Sequence, residues 1–225
     1  MKEKGFLQTP TFKIIAFTIA YLCLGYTLAP LSSQFYQQTF HCSMMDAEMF
    51  RQYGFFGFHF LCLILGILIF RKTLKLDMTR FKEKIWSNMG KIVLTFILML
   101  VGSMVFSFIQ SDNQAAVDSL AKVGSPLSNF LFMITVGIIG PMNEELLFRE
   151  VIIGQLGTKL PKWILVIASS ILFGLIHITS LDQLPQALPY IWNGLMLSLL
   201  YVRSKDNVLL SSGAHMLNNI VGMLV

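Results

Sequence analysis

A chain of 225 residues that is 55% hydrophobic and only 13% charged, with a mean hydropathy of +0.66, carries about half the charge of a soluble domain. So few charges cannot solvate a globule of this size. Three cysteines and no low-complexity tract also exclude a disulfide scaffold and a disordered chain. The composition is that of an integral membrane protein. Its net charge of +5 reads as a topology signal and a contact with anionic lipid, with no call for nucleic acid.

A bilayer core of ~30 Å needs ~20 apolar residues of helix. Seven stretches free of Asp, Glu, Lys and Arg meet that need, and six of them are 19 to 21 residues long. The first, from Lys13 to Asp46, is longer; a helix over about residues 12–31 and an uncharged outer segment at 32–52 are expected there. Residues 1–31 begin like a signal peptide, but Leu28-Ala29-Pro30 lacks the small residue that cleavage needs, so the first helix is expected to stay. The remaining stretches follow Arg51, Lys91, Lys122, Lys162, Asp182 and Asp206. Cys23 and Cys62 fall inside spans and Cys42 in an outer loop, so no disulfide is implied.

Leu, Ile, Phe and Met run on without period-two alternation, which favours helices over a membrane β-barrel. The expected fold class is all-α, a polytopic transmembrane helix bundle of about seven spans. Residues 1–120 would form helices 1–3 with a basic loop, and residues 121–225 a core of helices 4–7. Lys2, Lys4, Lys13, the 71–91 segment, Lys159, Lys162, Arg203 and Lys205 alternate along the chain and hold 14 of the 17 basic residues. The excess predicts a cytoplasmic N-terminus and an external C-terminus in the cell membrane. The 71–91 segment is either a solvated loop or an amphipathic helix on the inner leaflet. A further outer loop is expected at 111–126.

No loop is long enough for a soluble catalytic module, so any chemistry belongs to the bundle. Ionisable groups at membrane depth cost ~2.5–3.5 kcal/mol each and are functional candidates. They concentrate in Pro141-Met-Asn-Glu144-Glu145-Leu-Leu-Phe-Arg149-Glu150. Pro141 frees the carbonyl of Gly137 and bends the helix. Glu145 and Arg149 are spaced i,i+4 for pairing, while Glu144 is rotated ~100° away and free for chemistry. On charge alone a juxtamembrane segment would explain the cluster equally well. His177, four residues after Phe173, lies deep in the fifth stretch, and His215 and Asn219 share a face of the seventh. Each lone His could be structural, as His59 is taken to be, and the His215–Asn219 pair could be interhelical glue. Helical rise puts Glu144, His177 and His215 ~22, ~27 and ~15 Å from the inner turns, close enough in depth to meet.

A carboxylate with imidazoles in hydrocarbon can activate water. Glu144, His177 and His215 also make a ligand set for a divalent metal such as zinc. Asn219 could donate to an oxyanion.

Glu144-Glu145-x-x-x-Arg149, Phe173-x-x-x-His177 and His215-x-x-x-Asn219, in that order on successive helices, resemble the CAAX protease and bacteriocin-processing family of intramembrane metalloproteases. That family, also called CPBP or Abi, includes the type II CAAX prenyl endopeptidases. The resemblance covers roughly residues 125–225. It implies peptide-bond hydrolysis in the membrane, with Glu144 and His177 activating water and His215 and Asn219 stabilising the oxyanion. Glu145, Arg149 and Phe173 would support the site. The expected substrate is a membrane-associated peptide or protein, in bacteriocin immunity or peptide-signal processing. The alternative is a non-proteolytic partner of a sensor, transporter or toxin receptor. A proton-coupled transporter is a third reading, disfavoured by the lack of inverted repeats.

Overall fold

The computed structural model describes residues 9–41 and 43–224, and every regular element among them is helical. Cys42 and the basic Lys2 and Lys4 fall outside the described residues.

Helix α1 (Pro10–Ala20) starts at Thr9, whose Oγ1 accepts the Phe12 N–H at 3.3 Å, with Pro10 in the first turn where no N–H is missed. It widens into π-helical turns over Tyr21–Leu28 and continues as α2 (Ala29–Phe40). The outer loop expected after residue 31 is therefore helix to Phe40, because wide turns carry the backbone past Gly25 and Pro30 without a break. Helix α3 (Met44–Glu83) begins at a Ser43 cap and packs on α2 through the Tyr36 and Phe50 rings, stacked at 4.2 Å.

The basic 71–91 segment is neither a loop nor a separate surface helix. The 40-residue α3, ~60 Å long, runs through it to Glu83, and α4 (Ile85–Val105) follows after Lys84 alone. Arg, Lys, Leu and Met are strong helix formers, and the end of α3 is tied down. Asn88 Nδ2 donates to the carbonyls of Arg80 and Phe81 at 3.2 and 3.0 Å. Asp77 Oδ2 accepts the Val208 N–H at 3.0 Å, and the Asp77 carbonyl accepts Asn207 Nδ2 at 3.0 Å.

The expected 111–126 loop contains α5 (Asp112–Ala121), capped by Ser111. After it, one helical run extends from Pro126 to Thr158: α6 (Pro126–Ile134), π-helical turns at Thr135–Ile139, α7 (Gly140–Glu145), more π-helical turns at Leu146–Gln155 and a 3₁₀ turn at Leu156–Thr158. Then come α8 (Lys162–Leu175), a 3₁₀ segment (Leu181–Gln186), α9 (Ala187–Arg203) and α10 (Val208–Gly222). Helix α8 is shorter than the fifth apolar stretch, so His177 lies just past its C-terminus and not deep within a span. The Gln183 side chain holds that turn by accepting the Thr179 N–H at 2.8 Å.

Among the described residues, three helical segments are long and apolar enough to cross a bilayer, Met45–Glu83, Ile85–Val105 and Pro126–Thr158. Thr11–Leu24 and Lys162–Leu175 are shorter apolar helices, and α9 and α10 have 17 and 15 residues, so the expected seven full-length spans are not all present as such. Trp86, Met104, Phe108 and Trp163 point outward, as in a bundle solvated by lipid. Phe17, Phe70, Leu146, Phe148, Phe173 and Tyr201 fill the core between α1, α3, the 126–158 run, α8 and α9.

Small residues let α8 and α9 approach closely. A Cβ at Gly194 would stand 3.1 Å from Ser170 Cα and 3.2 Å from Phe173 Cβ. Gly194→Val is expected to cost about 1–3 kcal/mol, read as a lower melting temperature in detergent. Gly57→Ala, where nothing lies within 4 Å of an added Cβ, should leave it unchanged or higher.

Candidate active site

The π-helical turns decide which backbone group Pro141 leaves unpaired. Across the first of them, the Gly140 N–H bonds to the carbonyl of Thr135, five residues back. In that register the N–H missing at Pro141 would have served Val136, not Gly137 as an α-helix predicts. Asn219 Nδ2 donates to the Val136 carbonyl at 3.0 Å. One N–H of Asn219 is therefore structural, and its amide retains a second donor.

Glu144 and Glu145 diverge as their positions on α7 require. Glu145 is fully buried, and its Oε2 lies 3.1 Å from Nε of the equally buried Arg149. Arg149 Nη2 donates to the Gly194 carbonyl at 3.2 Å, and its guanidinium carbon stands 4.8 Å over the Phe173 ring. The other oxygen of Glu145 meets His215 Nδ1 at 3.0 Å. A carboxylate only accepts, so His215 carries its proton on Nδ1 and turns Nε2 towards Glu144, whose Oε2 is 3.7 Å away. That spacing is too long for a hydrogen bond. The Glu144 side chain is 18% exposed, and it faces a cavity.

Phe173 sits against both imidazoles. Its ring meets His215 edge-on at 5.4 Å and His177 at 5.0 Å. His177 Nδ1 donates to the Phe173 carbonyl at 2.7 Å, which leaves Nε2 as a lone pair. Tyr190 stacks on the His177 ring at 4.1 Å, and its hydroxyl is bonded to Ser111 Oγ at 2.7 Å and Asn113 Nδ2 at 3.2 Å.

Glu144, His177, His215 and Asn219 all line one cavity of about 850 Å³, while Glu145 and Arg149 stand behind its wall. The helices thus bring all seven of the expected residues to one place. Two further residues were not legible as part of it. His59, taken as structural, lines the same cavity with Nδ1 bonded to the Phe55 carbonyl at 2.9 Å. Tyr190 lies in an ordinary apolar stretch, and its stack on His177 and its place on the cavity wall reveal it. Among the described residues no three His, Cys, Asp or Glu side chains are grouped to hold a metal ion. As placed, Glu144, His177 and His215 do not form a zinc ligand set.

The architecture defines a class, a polytopic α-helical membrane protein with a carboxylate–imidazole site inside the bundle. Residues 126–221 match the model of the family described as "Type II CAAX prenyl endopeptidase Rce1-like". The chain is 29% identical to "Putative membrane peptidase YdiL" of Bacillus subtilis, over 64% of its own length and 59% of that protein. It is 27% identical to an "Uncharacterized protein" of Mycoplasma capricolum, over 60% of its own length and 42% of that one. It thus spans about half the length of the curated relatives it matches. No solved structure matches it. Family and relative support a membrane-protease type of function.

Arg149→Ala would strand the Glu145 carboxylate in the core. The expected cost is about 3–5 kcal/mol, read as loss of folded protein on size exclusion. Glu145→Gln with Arg149→Met removes both charges and should recover most of the yield.

Proposed function

We propose that the protein is an intramembrane endopeptidase in which Glu144 activates a water molecule against a peptide carbonyl. One observation carries this reading. Glu144 faces a cavity that can take a peptide, and the charges behind it are already matched. In the proposed reaction His215 takes a second proton on Nε2, which offsets the single negative charge left by two carboxylates and one guanidinium. Such an imidazolium, backed by Glu145 as the histidine of a hydrolytic triad is backed by its acid, can donate to a developing oxyanion. The second N–H of Asn219 is a further donor for that oxygen. His177 Nε2, a lone pair held in place by the Phe173 carbonyl and the Tyr190 ring, accepts from the attacking water and orients it. Glu144 takes the proton from the water and passes it to the leaving amine.

Small peptides at the membrane, among them bacteriocins and peptide signals, are the proposed substrates. The Lys and Arg distribution favours a cytoplasmic N-terminus and an external C-terminus.

Comparative peptidomics of membranes from cells carrying wild type, Glu144→Ala or His177→Ala tests the proposal. Loss of a general base lowers rates by ~10²–10⁴-fold, so substrates should accumulate intact in both variants while protein levels hold. Normal levels together with unchanged peptides and full biological activity would instead favour a non-catalytic membrane partner.

A further inference from the structure

The cavity and the basic ends of the helices lie at opposite ends of the bundle. From Glu144 the cavity runs past His59 and Gln52 in the first half of α3 and past Met99 and Ile109 towards the end of α4 and beyond it. It reaches a rim that includes Arg51 and Asp118, where α5 lies along it. Gln52 anchors the C-terminal end of α5, its Nε2 donating to the carbonyls of Leu120 and Val123 at 2.6 and 2.8 Å.

In the other direction the bundle is plugged. Glu145, Arg149, Leu146 and Ile153 are fully buried, and Phe148 and Val151 nearly so. Beyond that plug a second hollow of about 420 Å³ is lined by Lys72, Arg80, Glu150, Tyr201 and Lys205, and it shares no residue with the first. Lys72, Arg80 and Lys205 belong to the basic set that holds 14 of the chain's 17 Lys and Arg residues. On α3 alone, Gln52 and Arg80 are 28 residues, or ~42 Å, apart.

An end so rich in Lys and Arg stays in the cytoplasm. We infer that the catalytic cavity opens to the other side of the membrane, and that its substrate is an uncharged, extended peptide segment presented at the outer face. The rim charges already have partners. Arg51 pairs with Glu48 at 2.9 Å, and Asp118 accepts from Gln114 Nε2 at 2.8 Å. Between them and Glu144 the wall is largely apolar, with Phe55, Phe132, Val136 and Ile176, and burying a charged side chain there without a partner is costly. The substrate half of this inference rests on the protease reading above; the orientation half does not.

Single cysteines in a background free of Cys23, Cys42 and Cys62 test the orientation. Asp118→Cys at the rim should react with a membrane-impermeant maleimide in intact bacterial cells. Lys82→Cys, at the far end of α3, should react only after permeabilisation. The reverse pattern, labelling of both, or labelling of neither in intact cells would overturn the inference. Quenched fluorescent peptides test the substrate. Uncharged peptides added to right-side-out vesicles should be cut at least 100-fold faster by wild type than by Glu144→Ala. Cutting in inside-out vesicles alone, or equal cutting of peptides with a central Lys or Glu, would overturn it. No cutting in either vesicle type, with the expected labelling, would defeat the protease reading and leave the orientation standing.

Discussion

The site depends on one constraint: charges that lie in hydrocarbon must neutralise one another in place. Glu145 and Arg149 are both without exposure, and either alone would be an uncompensated charge in a medium that screens little. Their contact is therefore obligatory, and it fixes more than itself. Arg149 reaches α9 through the Gly194 carbonyl and α8 through the Phe173 ring, and Glu145 reaches α10 through His215. The pair thereby sets the rotation of the 126–158 run against three other helices. Glu144, one position earlier, is left turned to the cavity.

The backbone shows the same economy. Wide turns on either side of α7 let a helix containing Gly140 and Pro141 continue unbroken, and the carbonyl that this leaves over is taken by Asn219 from α10. An amide read first as chemistry is also a structural clamp. Its two N–H groups allow both roles, because Val136 occupies only one of them.

Much of this was legible in the residues and some was not, for physical reasons. The i,i+4 spacing of Glu145 and Arg149 and the offset of Glu144 follow from helical geometry, and the structure realises both. Apolar runs without period-two alternation gave the class of fold, since only helices and closed barrels satisfy backbone polar groups in lipid. Charge-free length was a poorer guide to where helices stop. Residues 71–83 are charged yet continue α3, because Lys and Arg beyond the hydrocarbon are good helix formers. His177 is flanked by apolar residues yet lies past the end of α8, where a side chain of Gln183 caps the turn. The freed carbonyl was misplaced by one residue because a π-helical register cannot be read from Pro141 alone. His59 and Tyr190 gave no local signal, as their positions beside the site arise only from packing between distant segments.

Helix α3 joins the two ends of the molecule as one stiff rod. It carries Gln52, which holds the rim strap, and Asp77, which holds the turn between α9 and α10. The charge-free stretch of that rod, residues 52–70, is ~29 Å long and matches the hydrocarbon core, so the charged turns after it stand clear of the lipid tails. Gln52 and Asp77 are thereby held ~38 Å apart on opposite sides of that core by one unbroken helix.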